Sequence, residues 1–277
     1  MCPVSGHHAH PQSRRRRRTG HPYLDDPPGV LAFAHRGGAF HPGLEGLENT
    51  MAAFRHAVEL GYAYLETDVH ATRDGVLLAF HDTVLDRVTD SAGEIAALTH
   101  DEVREALVDG RESVPTLAEL FDAFPETRFN LDLKAAGAVD LLARFIEDRD
   151  AHDRVLVGSF RRAHLTRFRR LTGGRVATSA SPAEVAVFVL SPSGRLADLL
   201  TGRRVSALQV PHRRGRLRVV GPGLVRRAHA AGKHVHVWTV DDADEMRELI
   251  ARGVDGLMTD RTDILKAVLV ADGHWED

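Results

Sequence analysis

Two histidines and their charged neighbours stand at the ends of short apolar runs early in the sequence. His35 and Arg36 end one such run, and His81 and Asp82 end another. Histidine is the side chain whose ordinary pKa lies nearest to neutral pH, so two histidines at one site suit general acid–base catalysis. We therefore interpret residues 35–82 as the rim of an active site.

Three carboxylates are expected to point toward the same place. Glu66 and Asp68 have the same parity on one predicted strand, and Asp132 and Lys134 share a face of a later strand. Three inward carboxylates without equal positive charge would repel one another and would be costly to bury. One hard divalent cation resolves this, and all-oxygen ligation favours Mg²⁺ or Ca²⁺ over zinc. The alternative is an ion-pair network in which Arg36 and Lys134 neutralise the acids.

Histidines beside such a cation suit phosphoryl transfer. One histidine would remove a proton from the nucleophile, and the other would protonate the leaving alkoxide. Arg36 and Lys134 would neutralise the charge that develops on the phosphate oxygens. Gln209 and Trp238 also end predicted strands, and we expect them to contact the substrate.

The elements that must position these residues alternate between strands and helices. The predicted barrel strands are 31–35, 63–69, 128–134, 154–159, 175–179, 205–210, 234–240 and 254–259. A further run, 76–80, follows the second strand too closely for a parallel crossover, so it predicts a hairpin with Asp74-Gly75 in the turn. Its expected register places His81 opposite Glu66. Eight alternating units favour a closed (β/α)₈ barrel over an open sheet, with the chemistry at the C-terminal ends of the strands.

The composition of the chain is typical of a globular protein. The chain has 277 residues, 43% of them hydrophobic and 27% charged, which suits one large globular domain. A net charge of −3 gives no indication of nucleic-acid binding, and no apolar run is long enough for a transmembrane segment. The single cysteine, Cys2, excludes an internal disulfide. We expect a cytoplasmic protein, and the sequence does not predict its oligomeric state.

The N-terminal segment differs from the rest of the chain. Residues 1–28 are rich in His, Pro and Arg, include Arg14 through Arg18, and show no apolar period. We expect a disordered tail over 1–28, preceding a barrel domain over 29–272. Tethering to nucleic acid or phospholipid is the functional alternative to a plain solvated tail.

The ordered motifs of the chain resemble the glycerophosphodiester phosphodiesterase family. They are His35-Arg36-Gly37, Glu48-Asn49-Thr50, Glu66-Thr67-Asp68-Val69, Asp74-Gly75, His81-Asp82, Leu85-Asp86-Arg87-Val88-Thr89-Asp90, Pro115-Thr116-Leu117, Leu131-Asp132-Leu133-Lys134, Ser159-Phe160, Val237-Trp238-Thr239-Val240 and Thr259-Asp260. The resemblance covers roughly residues 30–270. It implies a TIM barrel with an insertion after the second barrel strand, about 83–115. It also implies hydrolysis of glycerophosphodiesters to an alcohol and sn-glycerol 3-phosphate.

The resemblance further implies a role for each site residue. Glu66, Asp68 and Asp132 match the metal ligands. His35 and His81 match the acid–base pair, while Arg36 and Lys134 match the cations beside the phosphate. The first attack comes either from the substrate's glycerol 2-hydroxyl, giving a cyclic phosphate, or from water, and the sequence leaves both open.

Three positions depart from the family pattern. Leu47 stands where proline usually precedes Glu-Asn-Thr, and Asp241 stands where asparagine is common. Asp132 replaces the commoner glutamate, and its shorter reach is expected to alter the metal preference. None of the three departures removes a proposed catalytic group.

Two other functions remain open at this stage. A lysophospholipase D-like enzyme would use the same site on lysophospholipids. A non-catalytic binding protein on the same barrel would be expected to lack a histidine or a ligand, and none is missing here.

Overall fold

The chain folds into a parallel barrel surrounded by helices. A computed structural model describes residues 19–25, 29–215 and 217–275. Its strands are Leu31–His35 (β1), Tyr64–Ala71 (β2), Leu77–Ala79 (β3), Leu107–Val108 (β4), Glu112–Ser113 (β5), Arg128–Leu133 (β6), Val155–Gly158 (β7), Ala177–Thr178 (β8), Ala207–Pro211 (β9), Arg213–Arg214 (β10), Leu217–Arg218 (β11), His234–Trp238 (β12) and Gly256–Thr259 (β13).

Helices follow the barrel strands as the apolar spacing predicts. They are Pro22–Asp25 (α1), Met51–Glu59 (α2), His100–Val103 (α3), Leu117–Ala123 (α4), Ala138–Asp148 (α5), Arg162–Leu171 (α6), Pro182–Leu190 (α7), Gly194–Leu200 (α8), Pro222–Ala230 (α9), Ala243–Arg252 (α10) and Thr262–Ala271 (α11). None of these helices combines the length and the apolar character that crossing a membrane requires.

The barrel strands pair in the order of the chain. The sheet order is β8-β7-β6-β2-β1-β13-β12-β9, and all pairs along this path are parallel. A single parallel bridge between Ser179 and Ala207 joins its two ends. The predicted (β/α)₈ barrel is confirmed, and β8 and β9 are its most weakly joined neighbours.

The side chains inside the barrel are mainly apolar at its N-terminal end and polar at its C-terminal end. Because successive side chains alternate across a strand, Phe33 and His35 of β1 share the inner face. Tyr64, Glu66 and Asp68 share the inner face of β2. Phe33 and Tyr64 belong to a buried cluster drawn from several strands near the N-terminal end. The polar residues follow at the C-terminal end, where a barrel places its active site.

The hairpin is present, but its predicted register is wrong by one residue. β3 runs antiparallel to β2, and Val69 pairs with Ala79 where the prediction placed residue 68. The cause lies in the turn. The Thr72 hydroxyl bonds to Asp74 and accepts from the Val76 amide, which centres the turn on residue 74. Glu66 and His81 are therefore not opposite each other.

Residues 83–115 form the insertion expected after the second barrel strand. They contain a 3₁₀ turn at Ile95–Ala97 together with α3, β4 and β5. Their apolar side chains pack with Leu78 and Phe80 into a small separate core. This packing holds the insertion against the hairpin that carries His81.

The segment 1–28, expected to be a disordered tail, lies partly within the described residues. Residues 1–18 and 26–28 lie outside the described residues, but residues 19–25 contain α1, which contradicts the prediction there. Tyr23 and Leu24 are buried in the cluster at the N-terminal end of the barrel. The Tyr64 hydroxyl donates to the Tyr23 carbonyl at 2.8 Å. The burial of these two consecutive apolar side chains packs this short segment against the barrel.

One buried histidine is expected to make the fold sensitive to acid. His236 of β12 is 0% exposed inside the barrel. Burial, helped by repulsion from His234, lowers the pKa of its imidazole from 6.5 to about 3. Below pH 6.5 the unfolded chain therefore takes up a proton that the folded chain does not.

We expect this difference to lower the free energy of unfolding by about 2–3 kcal/mol between about pH 6.5 and 4.5, with no effect above that window. Urea unfolding of the wild type and of His236→Leu at both pH values measures it. The variant should lose that much less stability over the window, and equal losses would show that another group titrates.

Candidate active site

The barrel brings the proposed site residues together at one end. His35 ends β1 and pairs in register with Glu66 of β2. Asp68 of β2 pairs with Asp132 of β6. The closure of neighbouring strands thus places the carboxylates and one histidine side by side, as their shared parity predicts.

The loop after β1 depends on close contacts at two glycines. Gly37 and Gly38 both have left-handed backbones, with φ of 84° and 87°. A side chain at Gly37 would lie 2.7 Å from the Ala53 Cβ, and one at Gly38 would lie 2.5 Å from Thr262 Cγ2. The loop therefore packs tightly on α2 and α11, which holds the preceding His35 in place.

Two cations neutralise part of the carboxylate cluster. Lys134 Nζ lies 2.8 Å from Asp68 Oδ1 and 2.7 Å from Asp132 Oδ2. Arg36 Nε lies 3.2 Å from Asp68 Oδ2. The ion-pair network that the sequence left as an alternative to a metal is present around Asp68 and Asp132.

The three acids differ in their electrostatic environment. Burial raises the pKa of Glu66 to about 7, and repulsion from Asp68 adds to the effect. Burial also raises the pKa of Asp132, despite the opposing attraction of Lys134. Burial acts on Asp68 in the same direction, but attraction to Lys134 and Arg36 outweighs it and lowers the pKa. The nearby cations therefore outweigh the effect of burial at Asp68 but not at Glu66 or Asp132.

His35 is held by a carboxylate from the last barrel strand. Its Nδ1 lies 2.8 Å from Asp260 Oδ1, and its Nε2 lies 3.8 Å from Glu66 Oε2. Burial alone would lower the pKa of the imidazole. Attraction to Glu66 and the hydrogen bond to Asp260 outweigh burial and raise the pKa to about 9. His35 is consequently protonated at neutral pH.

His81 is held by its neighbour in sequence. Its Nδ1 lies 2.6 Å from Asp82 Oδ1, and its backbone carbonyl lies 3.1 Å from His70 Nε2. Asp82 is bonded in turn to Arg87 Nε, and the Arg87 Nη2 donates to Glu48 at 2.6 Å. The histidine ring is fixed while its side chain stays 32% exposed to solvent.

The two predicted substrate contacts lie in different surroundings. Gln209 Nε2 donates to Asn130 Oδ1 at 2.7 Å, inside the barrel and toward its polar interior. Trp238 is half-buried, and its ring meets that of Phe160 edge-on with the centroids 5.8 Å apart. Lys134 Nζ lies 5.7 Å from the centroid of Phe160, which is 59% exposed. Trp238 and Phe160 thus form an aromatic wall beside the charged cluster, and their contact with substrate stays a prediction.

Sequence reasoning assigned no role to several supporting residues. Asp260 holds His35, Asp82 and Glu48 support the His81 side, and the Asn49 amide donates to Asp68 Oδ2 at 3.2 Å. Each of these residues lies within one of the sequence motifs or at a strand end, so the sequence did mark its position as one of interest. Their partners depend on barrel closure and loop conformation, which spacing alone does not provide.

The donor chemistry of the acids fits a hard divalent cation. Glu66, Asp68 and Asp132 offer only carboxylate oxygens, and burial raises the pKa of Glu66 and Asp132. In the part of the chain that the structure describes, however, no three His, Cys, Asp or Glu side chains are arranged as a ready metal site. Lys134 contacts two of the acids instead.

Several known proteins are similar in sequence to this chain over most of its length. The model of the glycerophosphoryl diester phosphodiesterase family matches residues 35–264. A Mycobacterium tuberculosis protein named "Probable glycerophosphodiester phosphodiesterase 2" is 41% identical over 251 residues, covering 90% of this chain and 94% of that protein. The lysophospholipase D GDPD1 of Rattus norvegicus is 28% identical, covering 86% of this chain and 85% of its own.

A solved structure shares the fold. The glycerophosphodiester phosphodiesterase from Agrobacterium tumefaciens superposes with a TM-score of 0.70 at 24% identity, covering 86% of this chain and 99% of that one. At this identity the likeness bears on the barrel and not on the chemistry.

Proposed function

The chain belongs to the glycerophosphoryl diester phosphodiesterase family, and from that premise we propose that it hydrolyses glycerophosphodiesters to an alcohol and sn-glycerol 3-phosphate. The observation that carries the proposal is the arrangement at the barrel mouth. Two histidines, each bonded to its own carboxylate, accompany three acids and two cations at the strand ends. This is the machinery that proton transfer at a phosphodiester requires.

We assign His35 as the general acid. Its imidazole is protonated at neutral pH because Glu66 and Asp260 raise the pKa to about 9. Asp260 holds Nδ1, which leaves the Nε2 proton for transfer to the leaving alkoxide. The proton would then leave on the released alcohol.

We assign His81 as the general base. With the Nδ1 proton directed at Asp82, the Nε2 lone pair is left to accept a proton from the nucleophile. Both a substrate hydroxyl and a water can be that nucleophile. The first would give a cyclic phosphate that water opens, and the second would give the product directly.

Arg36 and Lys134 are the proposed partners of the phosphate oxygens. Both already lie among carboxylates, so their positive charge is fixed in place before the substrate arrives. Glu66, Asp68 and Asp132 are the proposed ligands of one Mg²⁺ or Ca²⁺. When bound, such a cation would supply positive charge beside the phosphate and lower the pKa of an attacking hydroxyl.

The aromatic wall favours a second candidate function. The exposed Phe160 and the half-buried Trp238 offer apolar surface next to Lys134, where an acyl chain of a lysophospholipid could lie. A relative of this chain is named a lysophospholipase D.

A cytoplasmic location stays a prediction.

Activity on matched substrates tests both candidates. We expect the purified chain to release sn-glycerol 3-phosphate from glycerophosphocholine, to lose this activity with EDTA, and to regain it with Mg²⁺ or Ca²⁺. Lysophosphatidylcholine is the comparison, with choline release as the readout for both substrates. Choline released only from the acylated substrate would replace the first candidate with the second, and activity unaffected by EDTA would refute the metal.

A further inference from the structure

A cavity lies at the opposite end of the barrel from the proposed active site. Its volume is about 500 Å³, a size typical of small-molecule sites. Val205 and Ser206, just before β9, line it together with Thr178 of β8, and Thr19 forms part of another wall. The cavity therefore opens where the two most weakly joined barrel strands separate.

The lining of this cavity is strongly cationic. It contains no aspartate or glutamate among its described residues, whereas its cationic side chains are Arg169, Arg170, Arg203, Arg204 and Lys233. Burial lowers the pKa of the His21 imidazole, which lines the cavity beside them. Such one-sided charge on a concave surface attracts anions.

Only part of this charge is neutralised by carboxylates elsewhere in the fold. Arg169 pairs with Glu184 at 2.6 Å, and Lys233 pairs with Asp198 at 2.9 Å. No ion pair joins the remaining three arginines of the lining to any carboxylate of the residues that the structure covers. The cavity therefore keeps an excess of guanidinium groups.

One of the cations is rigidly positioned. Arg169 is 8% exposed and donates to Thr178 Oγ1, to the Ser179 carbonyl and to Glu184. Its contacts fix the inner wall of the cavity, while Arg203 and Arg204 are exposed at the rim. His21 adds a half-buried ring from the segment that contains α1.

We propose that this cavity binds a small anion carrying one or more phosphate groups. A guanidinium group can donate two parallel hydrogen bonds to the oxygens of one phosphate. The volume of the cavity leaves room for a small organic group beside the phosphate. The site is distinct from the proposed active site, which lies at the C-terminal ends of β1, β2 and β6. It does not rest on the proposed function.

Isothermal titration of the full chain with inorganic pyrophosphate, without divalent cations, tests the proposal. The variant Arg203→Ser with Arg204→Ser should bind pyrophosphate about tenfold or more weakly than the wild type, because two charge-assisted contacts are lost. The matched control is Arg195→Ser with Arg226→Ser, two exposed arginines outside the cavity, and it should bind like the wild type.

Competition identifies the source of the phosphate. Displacement of pyrophosphate by ADP would assign a nucleoside diphosphate, and displacement by sn-glycerol 3-phosphate would assign a phosphomonoester. Equal binding by the wild type and by the Arg203/Arg204 variant would overturn the proposal, as would absent binding in the wild type. If that variant does not fold, Arg170→Ser replaces it with the same expected direction.

Discussion

Replacing His81 with alanine is expected to lower kcat for glycerophosphocholine hydrolysis by about 10²–10⁴-fold, the usual cost of losing a general base. The side chain is 32% exposed and its ring contacts Asp82, so its removal empties the catalytic position without opening the core. Steady-state kinetics with a coupled sn-glycerol 3-phosphate assay measures the loss. His35→Ala is expected to fall in the same range, because it removes the proposed acid.

Two further variants are compared with His81→Ala. His56→Ala removes a histidine of α2 whose ring contacts that of His41, outside the carboxylate cluster, and it should keep wild-type activity. Asp82→Asn keeps the His81 ring but weakens its orientation, so a smaller loss is expected. A His81→Ala enzyme with unchanged kcat would show that another group accepts the proton.

Replacing Lys134 with methionine is expected to lower kcat/KM by about 10²–10³-fold, because a fixed cation beside the phosphate is lost. The ammonium lies within 2.8 Å of both Asp68 and Asp132. Without it, the buried carboxylate of Asp68 and the half-buried carboxylate of Asp132 face each other, which we expect to destabilise the folded chain by up to about 3–5 kcal/mol. Steady-state kinetics with Mg²⁺ measures the first effect, and urea unfolding without divalent cations measures the second.

Added cation separates a metal site from a structural ion-pair network. If the three acids bind a metal, Mg²⁺ or Ca²⁺ should stabilise Lys134→Met more than it stabilises the wild type, because the ammonium no longer competes for Asp68 and Asp132. Lys134→Arg retains the charge and is the matched control. Equal stabilisation of Lys134→Met and Lys134→Arg by the cation would contradict metal binding at these acids.

The barrel was predictable because its signals are local and repeated. The predicted strands alternate with helices at regular distances, and the observed β1 matches the predicted strand 31–35 at both ends. The convergence of Glu66, Asp68 and Asp132 was predictable from parity, because side chains alternate along a strand. Strand ends in a barrel then meet at one rim.

Other features depend on contacts that spacing does not reveal. The hairpin register follows from the Thr72 side chain, which moves the turn by one residue. The seating of Tyr23 depends on a Tyr64 side chain that lies 41 positions later. The bond between His35 and Asp260 joins residues 225 positions apart and exists only once the barrel closes.

The most direct test of the central claim compares the wild type with a chain carrying both His35→Ala and His81→Ala. Phosphorus NMR of glycerophosphocholine incubated with each protein and Mg²⁺ follows substrate and product together. The proposed function predicts that the sn-glycerol 3-phosphate signal grows with the wild type and stays at the uncatalysed level with the double variant. Equal product from both proteins would contradict it, and the active site would then lie elsewhere on the barrel.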